Sequence, residues 1–180
     1  MQDRQPTGLL GRWASAAHRS LTPVPGDQQA TDDFEDVSFE RIVNHRPRYA
    51  AVLVDIEAAL WQQDAISPLL LELCRLRIAQ LLGCDVALAH RTPEAIAAGL
   101  DESLVSSLSQ WPTDARFSGQ ARVCLGYAER LLMDAQGVSD EEADRVIDAV
   151  GQGGFLVLAY ACGLFETTQR ARLIVGATRW

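Results

Sequence analysis

The stretch LLLELCRLRIAQLLGCDVALAHRTPEAIAAG, residues 69–99, carries the strongest structural signal in the sequence. Just before it, Ser67 is a favourable N-cap residue and Pro68 suits the first helical position. Gly83 is the residue type that most often follows the last turn of a helix. The pattern therefore predicts a helix that ends at Leu82. This helix is apolar on nearly every face, which indicates that it is buried in a core.

A second helix is predicted to begin at Cys84 or Asp85 and to end at Gly99. The thiol of Cys84 would then lie at a helix N-terminus, where backbone N–H groups and the helix dipole favour the thiolate. The other three cysteines lie inside helical segments among apolar neighbours, where cysteine acts as a small hydrophobic residue. Cys84 is therefore the candidate nucleophile, and the alternative is that it only fills space in the core.

Several charged residues accompany this thiol. Glu72 and Arg75 are three residues apart on one helix and can form an ion pair. Glu72 is thus either half of a structural ion pair or a carboxylate held near Cys84 as a proton acceptor. On a continuous helix His90 is turned about 120° away from Cys84. Arg91 lies on the same face two turns along, where its cation could stabilise a thiolate or bind an anion.

The composition excludes several functional classes. The chain has 180 residues, enough for one domain, and a net charge of −8 with no basic block, which argues against nucleic-acid or anionic-membrane partners. All 16 basic residues are arginine, so lysine Schiff-base chemistry is excluded. His18 and His45 do not have metal-ligand spacing, and we predict neither a metal site nor a cofactor.

The use of cysteine and the N-terminus both favour a cytoplasmic location. No C-x-x-C pair occurs among the four cysteines, which is typical of a reducing compartment: Cys74, Cys84, Cys124 and Cys162. The N-terminus lacks the order of charged and apolar regions found in a signal peptide. No uninterrupted apolar run of 18 residues predicts a membrane span.

The chain divides into a polar N-terminal arm, residues 1–36, and a helical domain, residues 37–180. A short helix around residues 8–20 is possible within the arm. Further helices are predicted between start and stop signals, at about residues 47–62, 100–110, 119–135, 140–151 and 154–175. No segment shows sustained alternation of apolar and polar residues, so no sheet is expected and the fold class is all-α.

The pattern Glu72-x4-Arg77-x-Ala79-x4-Cys84, continuing to Ala98-Gly99, resembles the alkylhydroperoxidase D-like (AhpD-like), carboxymuconolactone decarboxylase superfamily. Further segments resemble this family outside the central stretch: Asn44–Pro47, Phe117-Ser118, Tyr127-Ala-Glu129 and Glu166-Thr-Thr-Gln-Arg170. The resemblance implies an AhpD-like orthogonal bundle of roughly six to eight helices. It also implies that helical hairpins pair between subunits, giving a homodimer or a higher homo-oligomer.

In peroxidase members of this superfamily, a glutamate and a histidine activate a pair of thiols that reduce a peroxide. Carried over in register, the glutamate is Glu72 and the first cysteine is Cys84. The second cysteine falls on Ala87 and the histidine on Arg91. Decarboxylase members often have two adjacent histidines, and only the first is present here, as His90. The dithiol mechanism is therefore not expected, because no second thiol can resolve an oxidised Cys84.

Two hypotheses follow. The first is a peroxidase-like oxidoreductase with a one-cysteine site, in which Cys84, Glu72 and His90 are catalytic and Arg91 binds the ligand. Its substrate would be a small peroxide or a lactone-like molecule. The second is a non-catalytic helical oligomer that binds a small ligand or a protein partner in the former active-site cleft.

Overall fold

The computed structural model describes Phe39 and residues 43–177. These residues are helical and contain no β-strand, which confirms the all-α class and agrees with an AhpD-like helical bundle. The helices are α1 (Pro47–Gln62), α2 (Pro68–Leu82), α3 (Asp85–Ala89), α4 (Pro93–Ala97), α5 (Glu102–Ser106), α6 (Gly119–Asp134) and α7 (Asp140–Ile174), with 3₁₀ turns at Leu108–Gln110 and Ala135–Gly137. The predicted N-terminal arm and its short helix lie outside the described residues.

Two compact units make up the chain. The larger unit, Gln63–Ala171, contains α2 to α6 and most of α7. The smaller unit contains α1 and the residues from Arg172 onward. In the smaller unit, the guanidinium of Arg172 lies 4.9 Å from the centre of the Phe39 ring, a cation–π distance. The predicted boundary between an arm at 1–36 and a domain at 37–180 remains a prediction.

Helix α2 has the ends that the sequence predicts. The Ser67 hydroxyl accepts the N–H of Leu69 at 3.2 Å, and Pro68 opens the helix. Gly83 follows the last residue with a φ of 67°, a left-handed conformation that glycine adopts without steric cost. The next N–H, from Cys84, turns back to the Ala79 carbonyl at 2.9 Å. Helix α2 is buried along most of its length and packs mainly against α6.

The predicted helix from residue 84 or 85 to Gly99 is wrong as a continuous element. Two five-residue helices, α3 and α4, occupy this region, and the chain is extended between them. His90 has φ −90° and ψ 147°, and Thr92 has φ −78° and ψ 138°. Pro93 explains part of this break, because a residue before proline is driven away from the helical region. Helix α4 ends at Ala97, although the alanine-rich sequence continues beyond it.

The ends of α6 and α7 follow local capping rules. The Ser118 hydroxyl accepts the N–H of Ala121 at 3.1 Å at the start of α6. Ser139 and Glu142 form the predicted capping box, with bonds of 2.9 and 3.3 Å. Gly151 has φ 75° and ψ 169° and kinks α7 where a break between two helices was predicted.

By length and composition alone, α7 could cross a membrane. A buried helix of a soluble protein can have the same length and composition, so the location of the chain remains a prediction.

Candidate functional site

Glu72 and Arg75 form a buried ion pair in the middle of α2. Arg75 donates from Nε to Glu72 Oε2 at 2.8 Å and from Nη2 to Oε1 at 2.7 Å. The Glu72 side chain is 0% exposed and that of Arg75 is 3% exposed. Parallel bonds between a guanidinium and a carboxylate are strong and directional. The predicted pairing of these two residues is therefore present, and both carboxylate oxygens of Glu72 are engaged.

The same pair holds the segment that follows α2. Arg75 also donates to the carbonyl of Ala87 at 2.9 Å and to that of His90 at 2.8 Å. Glu72 Oε1 accepts the N–H of Thr92 at 3.2 Å. We call this arrangement of Glu72 and Arg75 the clamp, because it joins α2 to both sides of the extended backbone between α3 and α4.

Cys84 is the N-cap residue of α3, as its position in the sequence indicates. Its side chain caps no backbone N–H in the described structure, and the residue is only 1% exposed. A reactive cysteine needs access to its substrate as well as a stabilised thiolate. The buried position of Cys84 gives it the environment of a packing residue.

His90 and Arg91 lie on the extended backbone, not on a helix with Cys84. The expectation that Arg91 faces the thiol two turns along one helix is therefore wrong, because α3 ends at Ala89. Arg91 instead forms two bonds of 3.0 Å with the carboxylate of Glu102 and donates to the carbonyls of Leu88 and His90. Its cation is already paired with an anion of the same chain.

Position 87, where peroxidase members of the superfamily have their second cysteine, is also inaccessible to solvent. Ala87 is 0% exposed and its carbonyl is bound by Arg75. The remaining cysteines are also buried, as expected of small hydrophobic residues. Burial raises the pKa of Cys74 well above its ordinary value, that of Cys124 to about 11 and that of Cys162 to about 12.

A second polar network was not predicted from the sequence. Arg77 of α2 binds Glu129 of α6, and the indole N–H of Trp111 donates to the same carboxylate oxygen at 2.7 Å. Arg77 also donates to Gln80 at 2.9 Å. The available signal was that Arg77 is a charged residue on an otherwise apolar helix, which requires a partner. The sequence did not indicate which acid, 52 residues away, that partner is.

A cleft of about 300 Å³ lies in another part of the larger unit. We call it the α6–α7 cleft, and its lining residues include neither Glu72 nor Cys84: Trp111, Arg122, Val123, Gly126, Tyr127, Glu142 and Arg145. Sequence reasoning did not select it, since its residues come from three separate segments. Within residues 43–177, no group of three or more histidine, cysteine, aspartate or glutamate side chains is arranged to hold a metal ion.

Comparison with known proteins identifies one family. Residues 47–130 match the family model described as the carboxymuconolactone decarboxylase family. The match covers slightly less than half of the chain, from the start of α1 into α6, and includes Glu72, Cys84, His90 and Arg91. No curated protein matches the chain.

Proposed function

We propose that this chain, whose residues 47–130 match the carboxymuconolactone decarboxylase family model, is a non-catalytic member of that family within the AhpD-like superfamily. In this proposal the former thiol site has become a structural clamp, and the protein acts by assembling with other copies of itself. The observation that carries the proposal is the clamp, because it engages both oxygens of the one carboxylate that the family's chemistry would use as a proton acceptor.

Two substitutions, at positions 87 and 91, also make the thiol chemistry unfavourable. Attack of a Cys84 thiolate on a hydroperoxide would transfer one oxygen to sulfur, release an alcohol and leave a sulfenic acid. Return to the thiol then requires a second thiol, and because position 87 is alanine this thiol would have to come from another molecule. Histidine is also missing from position 91, so no group of suitable pKa connects Glu72 to the sulfur.

Exposed apolar side chains support self-association. On α1, Tyr49, Val52 and Ile56 are exposed and fall at helical spacing. On α7, Leu156 is exposed and Tyr160, one turn later, is 76% exposed. Contiguous exposed apolar surface is a feature of protein–protein interaction sites. We propose a homodimer or a higher symmetric homo-oligomer.

The catalytic part of the proposal is tested by turnover of cumene hydroperoxide with dithiothreitol as the reductant. We expect the full chain to show no turnover above the uncatalysed rate, and Cys84→Ser to behave identically. We also expect iodoacetamide to modify Cys84 at neutral pH more slowly than it modifies a free thiol, because the residue is 1% exposed. Turnover that Cys84→Ser abolishes and Cys162→Ser leaves intact would establish the one-cysteine peroxidase and refute the proposal.

The assembly part is tested by light scattering after size-exclusion chromatography. We expect a mass of two or more chains, and a shift toward the monomer in Tyr160→Glu. Met133→Glu is the matched control, since Met133 is 74% exposed on a different helix. A wild-type chain that remains monomeric at high concentration would contradict self-association.

A further inference from the structure

The α6–α7 cleft has a wall of two aromatic rings. Trp111 is held in place because its indole N–H donates to Glu129, which in turn binds Arg77. Tyr127 packs edge-to-face on Phe155, with 5.6 Å between ring centres. Both side chains are therefore fixed before any ligand arrives, which lowers the entropic cost of binding.

Gly126 keeps the space beside the indole clear. A Cβ atom at this position would lie 3.4 Å from Cη2 of Trp111, so a larger side chain would fill the space next to the ring. Glycine inside a helix is less favourable than alanine, because it loses more backbone entropy on folding. Its place in the middle of α6 coincides with the lining of the cleft.

Two guanidinium groups line the same cleft. Arg122 is fixed by the carbonyls of Trp111 and Asp114, at 3.4 and 2.8 Å, and its Nη1 donates to no other group in residues 43–177. Arg145 donates from Nε to the Glu141 carbonyl at 3.2 Å. The two terminal nitrogens of Arg145 donate no hydrogen bond within the described part of the chain. Donors for an anion are therefore present at the cleft.

The one acid among the lining residues, Glu142, caps its own helix and interacts electrostatically with Arg130 and with Arg145 of the cleft. Glu142 Oε2 accepts the backbone N–H of Ser139 at 2.9 Å, and its Oε1 lies 3.9 Å from Nε of Arg130. The Ser139 N–H and the nearby arginines lower the pKa of Glu142, which keeps it ionised in its capping role. Arg122 and Arg145 against Glu142 leave one net positive charge among the lining residues, in a chain whose net charge is −8. Arg145 also interacts electrostatically with Glu141, so Arg122 is the cation with the less compensated charge.

We propose that the α6–α7 cleft binds a small planar aromatic anion, with its ring against Trp111 and Tyr127 and its carboxylate at Arg122 and Arg145. A volume of about 300 Å³ is at the lower end of the range for small-molecule sites, which fits a ligand of one or two rings. Guanidinium groups bind carboxylates with charge-assisted hydrogen bonds. This site is separate from Glu72 and Cys84, so the inference goes beyond the proposed function and does not depend on it.

The test is a titration of the full chain with 2-naphthoate, followed by ¹H–¹⁵N NMR. We expect saturable shifts of the backbone amides at residues 122–127 and 142–145 and of the Trp111 indole. 2-Naphthamide has the same ring without the charge and should bind about tenfold more weakly. Cyclohexanecarboxylate, which keeps the charge without the aromatic ring, should also bind more weakly.

Variants locate the site. Arg145→Gln should weaken 2-naphthoate binding by about tenfold. Arg170→Gln removes the same charge from an exposed position on the same helix and should change binding by less than about twofold. The proposal is overturned if 2-naphthoate gives no saturable shifts, if the amide binds equally well, or if Arg145→Gln binds like the wild type. Detection of peroxidase turnover would refute only the non-catalytic function.

Discussion

Replacement of Arg75 by methionine tests the clamp directly. Methionine is long and apolar, so Arg75→Met keeps much of the side-chain volume and removes the charge. The carboxylate of Glu72 is then buried without a cation. Breaking a buried ion pair by removing one partner costs about 3–5 kcal/mol. We expect a loss of that size in the free energy of unfolding, measured by urea denaturation, and a similar loss in Glu72→Met.

The double variant separates the ion pair from the hydrogen bonds around it. Glu72→Met/Arg75→Met leaves no buried charge, but the Thr92 N–H and the Ala87 carbonyl lose their partners. The His90 carbonyl keeps a bond from Arg91 at 2.8 Å. Two buried groups without partners cost about 2–6 kcal/mol in total. The two single losses would add to about 6–10 kcal/mol, so at the centre of both ranges the double variant should be more stable than additivity predicts by about 4 kcal/mol.

The control is the pair formed by Glu166 and Arg170, which are one turn apart on α7 and partly exposed. Met substitutions there should each cost less than about 1 kcal/mol and should be nearly additive. A loss below about 1 kcal/mol in Arg75→Met, or strict additivity at the clamp, would refute the reasoning. If Arg75→Met does not fold, recovery of a cooperative transition in the double variant tests the same point.

Three other predictions concern packing and titration. Gly154→Ala should lower the free energy of unfolding by about 1–3 kcal/mol, because its Cβ would lie 2.9 Å from a backbone carbonyl oxygen. Gly163→Ala is the control and should not lower it, because a Cβ there would have no described atom within 4 Å. Equal midpoints of the two variants in urea denaturation would contradict this prediction. Arg116 lowers the pKa of Asp114 from 3.8 to about 2, so this carboxylate stabilises the fold above pH 4 and the stabilisation is lost as the pH falls to 2. Unfolding curves of Asp114→Asn should therefore depend less on pH over that interval, and identical slopes would refute the assignment. Burial raises the pKa of Cys124 to about 11, so in the folded protein at pH 8 a disulfide reagent should label it far more slowly than in urea, and equal rates would argue against its burial.

Local signals in the sequence determined most of the helix ends. Ser67, Ser118 and the Ser139-Glu142 capping box each act through bonds that span two or three residues, so the sequence contains both partners. The pairing of Glu72 with Arg75 was predictable for the same reason. These interactions need no knowledge of the tertiary structure.

The segment after Gly83 was predictable only in part, because Pro93 is a local signal for extended backbone at Thr92 but not at His90. Its alanine-rich composition favours one helix, yet the backbone is extended at His90, where its carbonyl accepts a bond from Arg75, 15 residues earlier. A tertiary hydrogen bond has offset local helix propensity there. The α6–α7 cleft was missed because its lining comes from residues up to 34 positions apart, from Trp111 to Arg145.

Helices α3 and α4 are so short that their local unfolding should depend on the clamp. A five-residue helix is far too short to be stable alone in water, so these turns persist only while something else holds them. The clamp does so, and it binds the amide of Thr92 to a carboxylate that no solvent reaches. Amide hydrogen exchange should therefore be slow at Thr92 and at Leu88, and should become faster at both positions together when the clamp is broken. Glu72, the glutamate that would take part in proton transfer in peroxidase members of the superfamily, would then slow the exchange of the Thr92 amide proton.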